Sequence, residues 1–191
     1  MRRPILLGSS SPRRKELLER AEIPISRIVG PAVNEPPHRD GRPDDYVMEL
    51  ARRKSEWVMQ HGAVRPDEIV LTADTIVVLD GEVLGKPADR HEAAAMLRRL
   101  RGRSHQVLTA CVMRDQKRVE AFVDAVQVRF NRFSDEDIAH YAAGAAPLDK
   151  AGAYGAQDWM GLIGIRSIEG SFYTVMGLPI DRVYAVWRRW K

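Results

Sequence analysis

Ile5-Leu6-Leu7-Gly8-Ser9-Ser10-Ser11-Pro12-Arg13-Arg14-Lys15-Glu16-Leu17-Leu18 decides how this chain begins to fold. The apolar run reads as a strand over 5–7. Pro at a first helical position and Ser just before it are helix-start signals, so a helix is predicted over 12–21 with Ser11 as N-cap. Two arginines then fall in the first turn. That end of a helix is partially positive and favours anions, so cations there are out of place unless an anion joins them. Amides, hydroxyls and guanidiniums converge on one spot, and a phosphate chain is the ligand class they suit. A capped helix with solvent-facing arginines is the competing reading at this point.

Working outward, the pattern predicts a second strand over 25–29 and a long, proline-rich loop over 30–41. Loops of that length are often functional. A helix starts near Pro43, with Tyr46, Leu50, Lys54 and Trp57 recurring at helical spacing. Residues 69–79 are β-forming throughout, Asp80-Gly81 signals a hairpin, and 83–84 form the return strand. A helix over 89–100, long β segments over 105–113 and 119–133, and a capped helix over 138–143 follow. Residues 149–157 form a glycine-rich loop, 163–169 a strand, and Gly177-Leu178-Pro179 opens a last helix. Helices alternating with strands, interrupted by two hairpins, predict an α/β fold with a mixed sheet.

Composition narrows the function. The chain has 191 residues, 45 % of them hydrophobic, in the range of one globular domain. No apolar run approaches the roughly 20 residues of a membrane span, and the N-terminus lacks a signal peptide's apolar stretch. The net charge of +4 arises from 30 basic and 26 acidic residues spread along the chain, which disfavours nucleic acid as partner. Cys111 is the single cysteine, so neither a disulfide framework nor a thiolate zinc site is available. These features predict a cytoplasmic protein. Five histidines lack metal-ligand spacing, and P-loop, Rossmann and nucleophile-elbow motifs are absent.

Among candidate residues, Asp74 is the lone carboxylate in an eleven-residue β run. A buried charge there must be paired, bound to metal or turned to a cleft. Lys86 stands at a strand end between Gly85 and Pro87. Lys54 sits on an apolar helix stripe, where it either snorkels to solvent or enters a cleft. Lysine is scarce here, six of the 30 cations, so a lysine within a motif suggests a compact point charge. Glu35 lies in the long loop, and Gly152 and Gly155 permit close backbone approach.

Six ordered motifs span residues 9–179: 9–18, 73–77, 86–87, 102–109, 149–157 and 170–179. Together they resemble the Maf family. The resemblance implies an α/β fold with a long mixed β-sheet flanked by helices, two lobes around a central cleft, similar to inosine triphosphate pyrophosphatase, in one domain over 1–191. It implies a nucleoside triphosphate pyrophosphatase that uses a divalent cation (Mg²⁺, Mn²⁺ or Co²⁺) and forms a homodimer. Catalytic positions map to Arg13, Lys54, Asp74 and Lys86, and metal positions to Asp74 and Glu35. Ser9 and Ser11 hold phosphate oxygens. Arg13, Thr75 and Gln157 match the branch of the family that prefers dTTP and UTP, with modified pyrimidine nucleotides as further substrates. Arg14 is left to brace the helix or a neighbouring acid. A nucleotide-binding regulator of cell division or septum formation, without essential catalysis, is the alternative.

Overall fold

A computed structural model describes residues 2–190. The chain runs β1 (Ile5–Gly8), α1 (Pro12–Arg20), β2 (Ile25–Ile28), α2 (Pro43–His61), β3 (Ile69–Leu79) and β4 (Glu82–Leu84). It continues through α3 (Arg90–Leu100), β5 (Ser104–Arg114), β6 (Val119–Phe130) and α4 (Asp135–Ala142). Two short 3₁₀ turns, then α5 (Trp159–Gly164), β7 (Ile165–Glu169), α6 (Phe172–Met176) and α7 (Ile180–Arg188), complete it. The strands form one seven-stranded sheet in the order β2-β1-β3-β5-β6-β7, with β4 also on β3. β1 is parallel to both β2 and β3, whereas β3–β4 and β6–β7 are antiparallel, so the sheet is mixed. Among the described residues no helix is long and apolar enough to cross a membrane.

The residues group into two units. The first comprises residues up to 74, 109–124 and those from 177 onward. Here Leu6, Val58 and Val70 pack together under Val29, Trp57, Met59 and Val64. The indoles of Trp187 and Trp190 donate to the Arg3 carbonyl and the Asp115 carboxylate, which ties α7 to the start of the chain. The second unit comprises 75–108 and 125–176. Its core includes Val77, Leu97, Val128, Phe130, Ile138 and Tyr154.

The parallel part of the sheet prepares a site. From β1 the chain moves to β2 on one side and then to β3 on the other, which makes β1 a point where strand order reverses. In open α/β sheets, ligands bind beyond the carboxyl ends of strands at such a point. Gly8, the last residue of β1, is in register with Thr72 of β3. The serine loop therefore leaves the sheet at the level where β3 approaches Asp74.

Several expected boundaries move. β6 stops at Phe130, not 133; Phe133 is apolar because it is buried in the second core, not because it is in a strand. The strand expected from 163 begins at Ile165, and the preceding residues form α5, whose six residues are too few to show a helical period. α6, of five residues, escaped notice for the same reason. At α1, Ser11 occupies the N-cap position but its side chain makes no capping bond. Ser9 does related work, its Oγ accepting from the Ser11 amide at 3.2 Å. The capping box at Ser134 and Asp137 is present.

Glu68, just before β3, is a test of this packing. Its side chain is fully buried. It accepts from Ser26 Oγ at 2.8 Å, from Arg27 Nε and Nη2 at 2.9 and 2.8 Å, and from the Arg65 amide at 2.8 Å. The Arg27 bonds lead in lowering its pKa from 4.5 to about 2, against the opposing effect of burial. A carboxyl with a depressed folded pKa stabilises the fold above its unfolded value and loses that contribution as pH falls through its folded one. The difference corresponds to about 3 kcal/mol, lost between pH 4.5 and 2. Urea denaturation across that window should show the fall in wild type and a shallower one in Glu68→Gln, which should also be less stable at pH 7. Equal slopes in both proteins would contradict the assignment.

Candidate active site

Helix α2 supplies the first cation. Its buried face is Val47, Leu50, Ala51, Ser55 and Val58, so Tyr46, Lys54 and Trp57 flank the apolar stripe and do not continue it. Thr72 Oγ1 on β3 donates to the Ala51 carbonyl at 2.9 Å and fixes the helix one turn before Lys54. Lys54 Nζ then lies 3.0 Å from Asp74 Oδ1 and 2.6 Å from Glu35 Oε1. One ammonium thus holds two carboxylates from different segments. Lys54 and Asp74 keep only 11 % and 13 % of their side-chain surface exposed, and Glu35 keeps 37 %. The aspartate is the inner acid and the glutamate the outer one.

The Glu35 loop is itself held. Tyr46 Oη donates to the carbonyl of Pro36 at 2.8 Å, and His38 packs edge-on against the Tyr46 ring. Burial, with the charges of Asp74 and Glu35 adding to it, raises the Tyr46 phenol above its ordinary pKa. The phenol therefore stays a donor.

The serine loop contributes Ser9 and the arginines. Arg14 is the buried one, at 9 % exposure. Its Nη1 donates to Ser9 Oγ at 3.0 Å and its Nε to the Gly177 carbonyl at 2.8 Å. Burial lowers its pKa, and the nearby Asp74, Cys111 and Glu35 oppose that shift. An arginine remains charged under such shifts. Arg14 thus fixes the serine loop and places a positive charge near both acids, a fuller role than bracing the helix. Arg13 is half-buried on the same turn.

Thr75, Lys86 and Gln157 belong to the second unit. Thr75 follows Asp74 on β3, and Lys86 is exposed just beyond β4. Gln157 is half-buried, and its Oε1 is buried without a hydrogen-bond partner. A buried acceptor left unpaired is costly unless a ligand donor meets it. Among the described residues, no three His, Cys, Asp or Glu side chains cluster as a metal site. Glu35 and Asp74 nevertheless supply two hard oxygen donors around one positive charge. That set suits a cation that keeps several waters and takes its other ligands from phosphate oxygens.

The sequence had singled out Ser9, Glu35, Lys54 and Asp74, and the first unit brings these four together around Lys54 and Arg14. The latch at Tyr46 and the reach of Arg14 to the Gly177 carbonyl were missed. Tyr46 had a signal, its place one side of Lys54 at helical spacing. Gly177 had none, because a backbone acceptor leaves no trace in side-chain identity.

The family model described as Maf-like protein matches residues 4–190. A dTTP/UTP pyrophosphatase of Bacillus velezensis is 47 % identical over 182 residues, covering 95 % of this chain and 94 % of its own. That of Thermus thermophilus is 47 % identical over 190 residues, covering 97 % and 95 %. That of Porphyromonas gingivalis is 44 % identical over 180 residues, covering 94 % and 90 %.

Arg14→Lys cannot reach Ser9 and Gly177 together, because a lysine offers one point donor where arginine offers a planar fork. Denaturant unfolding should show a loss of about 2 kcal/mol for this variant, within the range for a broken buried polar network. Unchanged stability would show that the Arg14 bonds do not hold the loop.

Proposed function

The chain belongs to the Maf family, and we propose that it hydrolyses dTTP and UTP to the nucleoside monophosphate and pyrophosphate. The observation that carries this reading is the Lys54 ammonium shared by Glu35 and Asp74, set beside an arginine-backed serine loop.

The chemistry follows from the charges. A triphosphate is a polyanion whose cleavage shifts further negative charge onto the leaving pyrophosphate. Arg13, Lys54 and Lys86 offset that charge, and preorganised cations lower the barrier most where charge develops. Asp74 is the proton acceptor for the attacking water. An ionised carboxylate has free acceptor positions, and the Lys54 contact at 3.0 Å orients one of its oxygens. Glu35 and Asp74 would hold a divalent cation, with Mg²⁺ the first choice and Mn²⁺ or Co²⁺ as substitutes. Bound there, the metal supplies charge neutralisation and polarises phosphate oxygens. Ser9, Ser11 and the amides of the serine loop bind phosphate oxygens, as helix N-termini do.

Specificity rests on Arg13, Thr75 and Gln157. The unpaired Gln157 Oε1 supports this, because uracil and thymine carry an N–H donor that an amide oxygen can accept. Modified pyrimidine nucleotides share that edge, so removal of aberrant nucleotides from the precursor pool is the physiological role we assign. A cytoplasmic homodimer completes the proposal.

Asp74→Asn keeps the shape and removes the base. Pyrophosphate release from dTTP with Mg²⁺ should fall by about 10³-fold while the far-ultraviolet dichroism stays that of wild type. Near-normal turnover would remove Asp74 from the mechanism. Gln157→Ala should narrow the preference for dTTP over purine triphosphates by about tenfold in kcat/KM. An unchanged ratio would place base reading elsewhere.

A further inference from the structure

His105 and Tyr154 form a buried polar pair in the second unit, and none of the roles above uses them. His105 on β5 is 2 % exposed and Tyr154 is 5 % exposed. His105 Nε2 and the Tyr154 hydroxyl lie 2.7 Å apart, within hydrogen-bond distance. Both rings meet Phe130 edge-on. Burial lowers the His105 pKa to about 4, so the ring is neutral at ordinary pH. Its Nδ1 is buried without a partner. A polar pair kept in such a core at the cost of an unpaired nitrogen fixes a register that apolar packing alone leaves loose.

Tyr154 lies on the loop that carries Gln157, three residues before it. Gly152 adopts φ +67, and a Cβ there would come within 2.9 Å of Val77 Cγ2, so a side chain at this position is strained. The Gly152 amide donates to the Gly85 carbonyl at 3.0 Å, and Gly85 immediately precedes Lys86. Beyond Gln157, Asp158 is held by Lys150 Nζ at 3.1 Å and by the Tyr141 hydroxyl at 3.1 Å. Gln157 is thus flanked by two anchored residues, Tyr154 and Asp158, on a loop tied to the strand end that bears Lys86.

We propose that Tyr154, seated on His105, is a positioning residue that sets Gln157 and Lys86 relative to each other and thereby determines pyrimidine selectivity. The proposal rests on the assignment of Gln157 to base reading. Neither Tyr154 nor His105 touches the substrate. The hydroxyl fixes how deeply the loop sits, the Gly152–Gly85 bond transmits that depth to Lys86, and Asp158 fixes the far side. Loss of the hydroxyl lets the loop shift while its apolar contacts persist.

Tyr154→Phe tests this, because it removes one oxygen and keeps the ring. The ratio of kcat/KM for dTTP over GTP should fall about tenfold, with the loss for dTTP larger in KM than in kcat. His105→Leu should behave alike. His105→Gln, whose amide can reach the position of Nε2, should restore the wild-type ratio. Wild-type ratios in both Tyr154→Phe and His105→Leu would overturn the proposal, whatever their melting temperatures. Hydrogen exchange decides the same point without turnover. The Gly152 amide should lose about tenfold of its protection in Tyr154→Phe, whereas the Val128 amide in β6 should not. Undiminished Gly152 protection would likewise overturn the proposal. A wild-type chain that releases no pyrophosphate from dTTP would refute the functional reading, and exchange would still decide whether the anchor positions the loop.

Discussion

A single ammonium held between two carboxylates is the constraint on which the first unit turns. Lys54 reaches Asp74 and Glu35 at once, in a setting where the lysine and the aspartate are nearly buried. Removing a charge from water is expensive, and an unpaired buried carboxylate would neutralise itself by binding a proton. Lys54 gives the Asp74 carboxylate an ion-pair partner and holds one of its oxygens in place. The same ammonium joins the loop that bears Glu35 to the strand that bears Asp74.

The rest of the unit serves that contact. Parallel register sets Gly8 beside Thr72, which brings the serine loop level with the approach to Asp74. Thr72 bonds the Ala51 carbonyl and so orients the helix turn that presents Lys54. Tyr46 latches the carbonyl beside Glu35, and Arg14 joins Ser9 to the Gly177 carbonyl. Each is a short polar link to a backbone or side-chain acceptor, and each fixes a side chain that apolar packing could not orient. The second unit uses the same device, with Tyr154 on His105 and Gly152 on Gly85.

Much of this was legible in the residues. The strand over 69–79 could be read because eleven β-forming residues run up to the Asp80-Gly81 hairpin signal. Lys54 stood out as a cation at helical spacing with apolar residues, and Asp74 as one acid in an apolar run. Short helices were not legible, because five or six residues contain less than two turns of periodicity. The buried stripe of α2 was misassigned by one position on its flanks, since Tyr46 and Trp57 are apolar enough to pass for core. Ser11 is the N-cap residue, as its place before Pro12 predicts, but its side chain makes no capping bond and Ser9 takes the Ser11 amide. Arg14 was undervalued because its partners are a serine five residues earlier and a carbonyl 163 residues later.

The central claim is that these residues cleave a pyrimidine triphosphate between its α and β phosphates. Phosphorus magnetic resonance of dTTP incubated with the wild-type protein and Mg²⁺ tests it most directly. dTMP and pyrophosphate should appear in equal amounts, with no dTDP at any time. Orthophosphate with dTDP as the first products would place the cut at the terminal phosphate and contradict it.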